Sequence, residues 1–438
     1  MHPFTGKTRW IALCCACVLI GAGGLWALQP MTAAQRIDDT GLQDVWVVPN
    51  EDAREVRAFL IFDRGEMDNT YAEGLAHYVE HLAWLNVYED VQDARHANAW
   101  TNKTKTVYWQ TTTPEALTET VQRLLRVTQP LTRDETFMRE ERGIVQSEFT
   151  LRVSERPLFQ AYRDLTMVLY DDGPRARSVI GAFDDIANFS MDDARAFHAD
   201  THVVGNATLY VTGDITARDV RRALRNVPVD RPSRPPAVQD YDTTGFRDEQ
   251  VLSVPRLARP GVIYYKIVPL TGCDLTAQCD VALSMLHDIL TSTRRGGLAG
   301  PLRYDNFVAE GFSISMIMRD AQHLEFAFHA NPDQAVSLDT LTATFEDTLS
   351  QIIADGIPTE TFQNTKDRFI RDIDLLEDDA AYLADLVLAN LTAEWPVYDW
   401  AAERDATHAM TLADINALLR QLAQPGRVVL RKVTPEND

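Results

Sequence analysis

Cysteine is scarce in this sequence and unevenly placed. The 438 residues include five cysteines, of which Cys14, Cys15 and Cys17 crowd the extreme N-terminus and only Cys273 and Cys279 serve the rest. A disulfide scaffold is excluded, so stability must come from an apolar core. Basic residues are also in deficit: 42 Lys and Arg stand against 64 Asp and Glu, a formal charge of −22. A phosphate backbone is bound through excess Lys and Arg, so nucleic acid is excluded as the main partner. Low-complexity tracts and short-period repeats are missing. With 45% apolar residues, the chain can build a core spread over two or three domains and is not disordered.

The one long hydrophobic run is Trp10 to Leu28, which follows Lys7 and Arg9 and meets no further charge until Arg36. Basic-then-apolar order at a terminus is an export signal with its basic end held in the cytoplasm. The run is long for a signal-peptide core and just enough to span a bilayer, while Thr32-Ala33-Ala34 offers a small-residue cleavage site. Two fates follow: a periplasmic protein, or one anchored to the inner membrane and facing the periplasm. In that oxidising compartment Cys273 and Cys279 could close a small disulfide, a local staple of about 2 kcal/mol. Two free thiols are the alternative.

Residues 1–42 read as the export segment and a linker. A body at 43–227 follows, then a stretch at 228–242 holding Pro228, Pro232, Pro235 and Pro236, then a second body at 243–438. The first body carries β-forming runs at Val45–Val48, Val56–Phe62, Thr104–Thr113 and Ala207–Thr212, with helical spacing from Gly74 and again over Asp134–Val153. The second repeats the style, with strands near Gly261–Ile267, Ser313–Met318, His323–His329 and Arg427–Lys432 and long helices near Asp280–Ser292 and Thr359–Leu391. Ala207–Thr212 and Val428–Lys432 each lie near the end of their half, a weak hint of duplication.

The chemistry concentrates in Gly74-Leu75-Ala76-His77-Tyr78-Val79-Glu80-His81-Leu82. On a helix His77 and His81 sit one turn apart, about 6 Å along the axis, so both imidazoles can reach one ion. Glu80 projects beside them. This HxxEH order suits a borderline metal, usually zinc though Mn or Co fits the same ligands, with the carboxylate taking a proton from the metal-bound water. The bland reading is a polar helix face. A catalytic zinc site needs one more protein ligand, and the carboxylate-rich helix around Arg139–Phe149 offers Glu141 and Glu148 on one face. Two turns, roughly 10.5 Å, separate them, so one binds the metal and the other supports it or meets substrate. Glu140 reads as a solvated charge.

These segments, with Asn98-Ala99, Thr106-Val107-Tyr108, Glu141-Arg142, Glu148, Asn206-Ala207-Thr208-Leu209 and Val211-Thr212-Gly213-Asp214, resemble the pitrilysin/insulinase family of inverted-motif zinc peptidases. The length resembles its short members, related to processing peptidases. The resemblance implies an α+β fold of two similar domains, each a mainly antiparallel sheet packed with helices, facing each other as a clamshell. It also implies one zinc held by His77, His81 and Glu148, Glu80 as general base, Glu141 as a supporting acid, and Asn98 on an edge strand where peptide adds. Two departures stand out. The interval from His81 to Asn98 is shorter than the family's and lacks its Gly pair. In the second half, Gly296–Arg303 resembles the segment carrying the family's substrate-binding Arg, here Arg303, but the Tyr expected at position 310 is Glu, and the nearest aromatic is Phe312. Phe has no hydroxyl to offer an oxyanion.

The expected activity is therefore that of an exported zinc metalloendopeptidase acting on extended peptides or unfolded segments. The net charge favours basic peptides, although charge summed over a chain does not fix the sign of its cleft. The alternative is a zinc-binding subunit, in a homodimer or paired with a related chain, that captures substrate and needs its partner for turnover.

Overall fold

The computed structural model describes residues 34–88, 96–154, 156–225, 227, 235–273, 276–376, 379–394 and 402–436. The run Trp10–Leu28 lies outside them. No helix among the described residues is long and apolar enough to cross a membrane.

Alternating apolar runs pair into two sheets. The first holds β1 (Gln35–Arg36), β2 (Asp44–Pro49), β3 (Val56–Phe62), β4 (Ala97–Thr101), β5 (Thr106–Thr112) and β6 (Ala207–Gly213), in the order β1-β2-β6-β3-β5-β4. The second holds β7 (Phe246–Val254), β8 (Gly261–Pro269), β9 (Ala309–Asp320), β10 (His323–Pro332) and β11 (Arg427–Pro435), in the order β7-β11-β8-β10-β9. In both, the last strand enters beside an early one in parallel and runs antiparallel to the next: β6 between β2 and β3, β11 between β7 and β8. The strands that hinted at duplication are thus topological counterparts, and the architecture is the expected α+β pair of similar, mainly antiparallel sheets. β7 escaped the sequence reading because it is an edge strand rich in charge, Phe-Arg-Asp-Glu-Gln, with little alternation to detect.

Each sheet turns one face to helices of its own half. α1 (Leu75–Leu85) lies against β4 and β5 of the first and carries α2 (Glu135–Phe149), and α4 (Ala277–Thr291) lies against β9 of the second and carries α5 (Thr359–Leu376), while α3 (Phe159–Leu169) and α6 (Ala380–Thr392) cross over. Strand β3 shows why both faces need cover: Ala58, Leu60 and Phe62 point into one core, Phe59 and Ile61 into another. α3 lays Ala161, Leu165 and Leu169 against Ile263, Ile267, Val429 and Val433 of the second sheet. Reciprocally, α6 lays Ala384, Val387 and Leu391 against Val48, Phe59, Ile61 and Tyr210 of the first. Spacings of three and four put each trio on one helix face.

Charges fix this exchange. Arg431 in β11 is fully buried between Asp164 of α3 and Asp248 of β7, each at 2.6 Å. Arg175 and Arg319 share Glu394 at 2.6 and 2.7 Å, and Arg319 also pairs with Glu325 at 2.7 Å. Buried ions persist only when paired, so this network selects one docking of the halves.

Three expectations are adjusted. The single helix expected over Thr359–Leu391 is two, because Asp379 accepts from the backbone N–H groups of Ala381 and Tyr382 and starts α6 afresh. The described part of the Pro-rich stretch is packed rather than loose: Ala237 N–H donates to Asp68 at 2.8 Å and the Gln239 amide to the Tyr170 carbonyl at 2.9 Å. Cys273 and Cys279 are joined, with Cα atoms 5.3 Å apart, tying the approach to α4 to its first turn.

Candidate metal centre

The site begins with how α1 is seated. Leu75, Tyr78, Val79 and Leu82 enter the first core, and the Tyr78 hydroxyl donates to the Met138 carbonyl at 2.7 Å, fastening α1 to α2. Gly74, just ahead of α1, has φ +91° and lies so close to Gly181 that a Cβ would fall 2.5 Å from that residue's Cα. Only glycine satisfies both demands. The contact brings the segment Ser178–Ile180 alongside the histidine face.

That face gathers the expected residues. His77 Nε2 and His81 Nε2 are 3.3 Å apart, and Glu148 Oε2, from the last turn of α2, lies 3.6 and 3.5 Å from them. Four donors arranged tetrahedrally around an ion at 2.0–2.1 Å are about 3.3 Å from one another. The triangle therefore fits zinc in its edges as well as in its His2Glu chemistry. It is the one group of three potential ligands that meets this closely among the described residues.

Neighbouring groups orient it. His81 Nδ1 is 2.7 Å from Glu141 Oε1, so it carries the proton and donates, which leaves Nε2 as the free lone pair. Glu148 divides its two oxygens, Oε2 toward the imidazoles and Oε1 to Arg152 at 2.7 Å. Glu80 stays off the triangle. Its Oε2 accepts from the Thr101 hydroxyl at 2.9 Å, and burial pushes its carboxyl up to about 7 while His81 and Thr101 pull it down. Burial, then the charge of His81, push His77 down and keep its imidazole neutral. Burial disfavours a charged His81 too, but Glu141 and Glu148 outweigh it, so this corner attracts a positive charge, proton or cation.

Beside the triangle opens a cavity of about 730 Å³. Its walls come from α1, the β4 edge, the end of α2 with the turn into α3, and Ser178–Ile180. Asn98 lies on the wall as expected, although its side-chain oxygen accepts locally from Ala99 N–H at 2.9 Å. Arg303 is not on the wall; its guanidinium is exposed over the Tyr304 ring at 5.5 Å. Glu310 pairs with Arg259, and Phe312 stacks on Phe328 at the second core. Sequence reading missed Arg152 and Thr101. The i,i+4 spacing from Glu148 was a usable signal for Arg152; Thr101 had none, since only the fold sets it against Glu80.

Glu141 supports a first test. Glu141→Gln should weaken zinc binding by roughly 10- to 100-fold, the usual cost of losing a histidine's outer partner. Competition against a chelator of known affinity measures it, and an unchanged affinity would show that Glu141 does not hold the imidazole.

Comparisons with known proteins bear on this arrangement. Residues 188–369 match the model of the "Peptidase M16 inactive domain". That match covers under half of the chain and excludes the histidine helix and Glu148, so it does not speak for the metal triangle. The mitochondrial-processing peptidase subunit beta of Saccharomyces cerevisiae is 24% identical over 162 residues, 34% of this chain and 34% of its own length. The chain thus aligns with about a third of that relative. The zinc protease PqqE of Helicobacter pylori is 22% identical over 377 residues, 80% of this chain and 82% of its own. A solved protease structure from Helicobacter pylori superimposes with a TM-score of 0.77 at 17% identity, covering 92% of this chain and 100% of that one. The resemblance read from the motifs is borne out, and the fold is the two-domain clamshell of M16-type peptidases.

Proposed function

We propose that this chain, a relative of the M16 zinc peptidases in sequence and in fold, is an exported zinc metalloendopeptidase that hydrolyses extended peptides. The observation that carries the reading is the approach of His77 Nε2, His81 Nε2 and Glu148 Oε2 to within 3.3–3.6 Å beside a buried carboxylate that is not part of their triangle. A zinc ion held there supplies Lewis acidity, which polarises a carbonyl and acidifies a water. Glu80, steadied by Thr101, takes the proton from the attacking water and passes it to the leaving amine. Among the described strands β4 pairs with β5 alone. Its open edge, bearing Asn98, supports addition of a substrate strand. The catalytic unit is 43–227, joined through 228–242 to a second unit at 243–438. Export to the periplasm, free or anchored to the inner membrane, is supported by the N-terminal run and fits the disulfide.

A second reading rests on what the cavity wall omits. Among the described residues none of the second half stands on it, position 310 offers no hydroxyl, and the yeast relative is by its name a subunit. The chain then works as one subunit, completed by a second copy or a related chain.

Metal analysis of the full chain should give one zinc per chain, and incubation with unstructured peptides should give internal cleavages that stop with chelator and return with zinc. A zinc-loaded chain that cleaves only after a related chain is added favours the subunit. A chain that binds no zinc overturns both readings.

A further inference from the structure

We infer that the cavity selects substrates that present a carboxylate next to the scissile bond, received by Arg156 together with Arg152. The inference rests on the peptidase reading and adds a substrate class to it. Apart from the metal triangle and Glu80, the described residues on the wall carry two charges, and both are arginines. This occurs in a chain whose formal charge is −22. Beyond the metal triangle and Glu80 the charge of the wall is therefore opposite in sign to that of the whole protein, and opposite to the basic-peptide expectation drawn from composition.

The two guanidiniums are placed to act on a ligand. Arg152 spends one donor on Glu148 Oε1 at 2.7 Å, and with its side chain 66% exposed it keeps others for the cavity. Arg156 is exposed, and among the described residues no carboxylate pairs with it. The β4 stretch Asn98–Thr101 and the segment Ser178–Ile180 complete the wall without charge. A lysine side chain entering here, away from the metal triangle and Glu80, meets guanidinium and no carboxylate among the described wall residues. A carboxylate meets a planar fork that can hold both of its oxygens. Such a carboxylate belongs either to an Asp or Glu side chain or to the C-terminus of a short peptide.

The test uses the full zinc-loaded chain and quenched peptides identical except for Glu, Gln or Lys at the positions flanking the cleaved bond, each as free acid and as C-terminal amide. Expected is a kcat/KM for Glu about fivefold above Gln, the scale of a partly exposed ion pair, with Lys lowest. Arg156→Glu should reverse the order of Glu and Lys, while Arg156→Lys keeps it. A preference that survives amidation assigns the carboxylate to the side chain; a preference that amidation abolishes assigns it to the terminus. Cleavage at equal rates for Glu and Lys, or an Arg156→Glu variant with an unaltered ratio, overturns the inference while leaving the peptidase reading intact. If no peptide is cleaved, that reading fails instead. Binding of the same peptides, labelled and followed by anisotropy, then decides the cavity: tighter binding of Glu that is lost in Arg156→Glu supports it, and equal binding overturns it.

Discussion

Glu80→Gln is expected to leave zinc bound and to cut peptide hydrolysis by on the order of 10²- to 10⁴-fold, the range for loss of a positioned general base. Zinc should stay because the triangle of His77, His81 and Glu148 does not include Glu80, and the substitution neither adds volume nor breaks α1. Gln keeps an oxygen for the Thr101 hydroxyl, so the local hydrogen bond survives while proton transfer is lost. The measurement is kcat on a cleaved peptide beside metal content of the same preparation. A variant that hydrolyses at the parent rate would remove Glu80 from the mechanism, whereas one that loses zinc would make it part of the binding set.

Glu148→Gln should do the reverse and lose the metal first. Glu148 supplies the one anionic atom of the triangle, and the amide keeps the shape without the charge. The affinity should drop by more than the roughly 100-fold upper figure for an outer-shell partner such as Glu141. Arg152, 2.7 Å from Oε1, worsens the loss, because with the carboxylate gone its positive charge has nothing to offset it beside the two histidines. Chelator competition and metal content at equilibrium report it, and activity should return in part at high zinc. Stoichiometric zinc in this variant would mean that the metal lies elsewhere.

The sequence made the centre legible because helical spacing is local. His77 and His81 one turn apart, and Glu141 and Glu148 on one face, follow from 3.6 residues per turn, and the two acids are far enough apart that only Glu148 joins the triangle. Which acid faces the imidazoles was carried by the family resemblance, and in the fold Glu148 lies against Nε2 and Glu141 against Nδ1 of His81. Contacts made across long stretches of chain left no periodic trace. Thr101 reaches Glu80 of α1 from the end of β4, and Gly181 meets Gly74 across more than a hundred residues. The crossing of α3 and α6 was equally silent, since an amphipathic helix shows that it has an apolar face but not which sheet will take it. Arg303 shows the converse limit: a motif match assigned it to substrate, and in the structure it lies exposed on the short helical segment Gly300–Asp305, off the described cavity wall.

The reciprocal helices have a consequence for the order in which the chain can become native. β1 to β6 are complete by Gly213, yet the face built of Val48, Phe59, Ile61 and Tyr210 waits for Ala384, Val387 and Leu391. At ribosomal speeds the gap is on the order of ten to forty seconds, long enough for a bare apolar sheet to find a wrong partner. The N-terminal half therefore cannot finish folding vectorially as it emerges. Its maturation is tied to the C-terminal third, and a chain held unfolded until synthesis is complete avoids the exposed intermediate altogether.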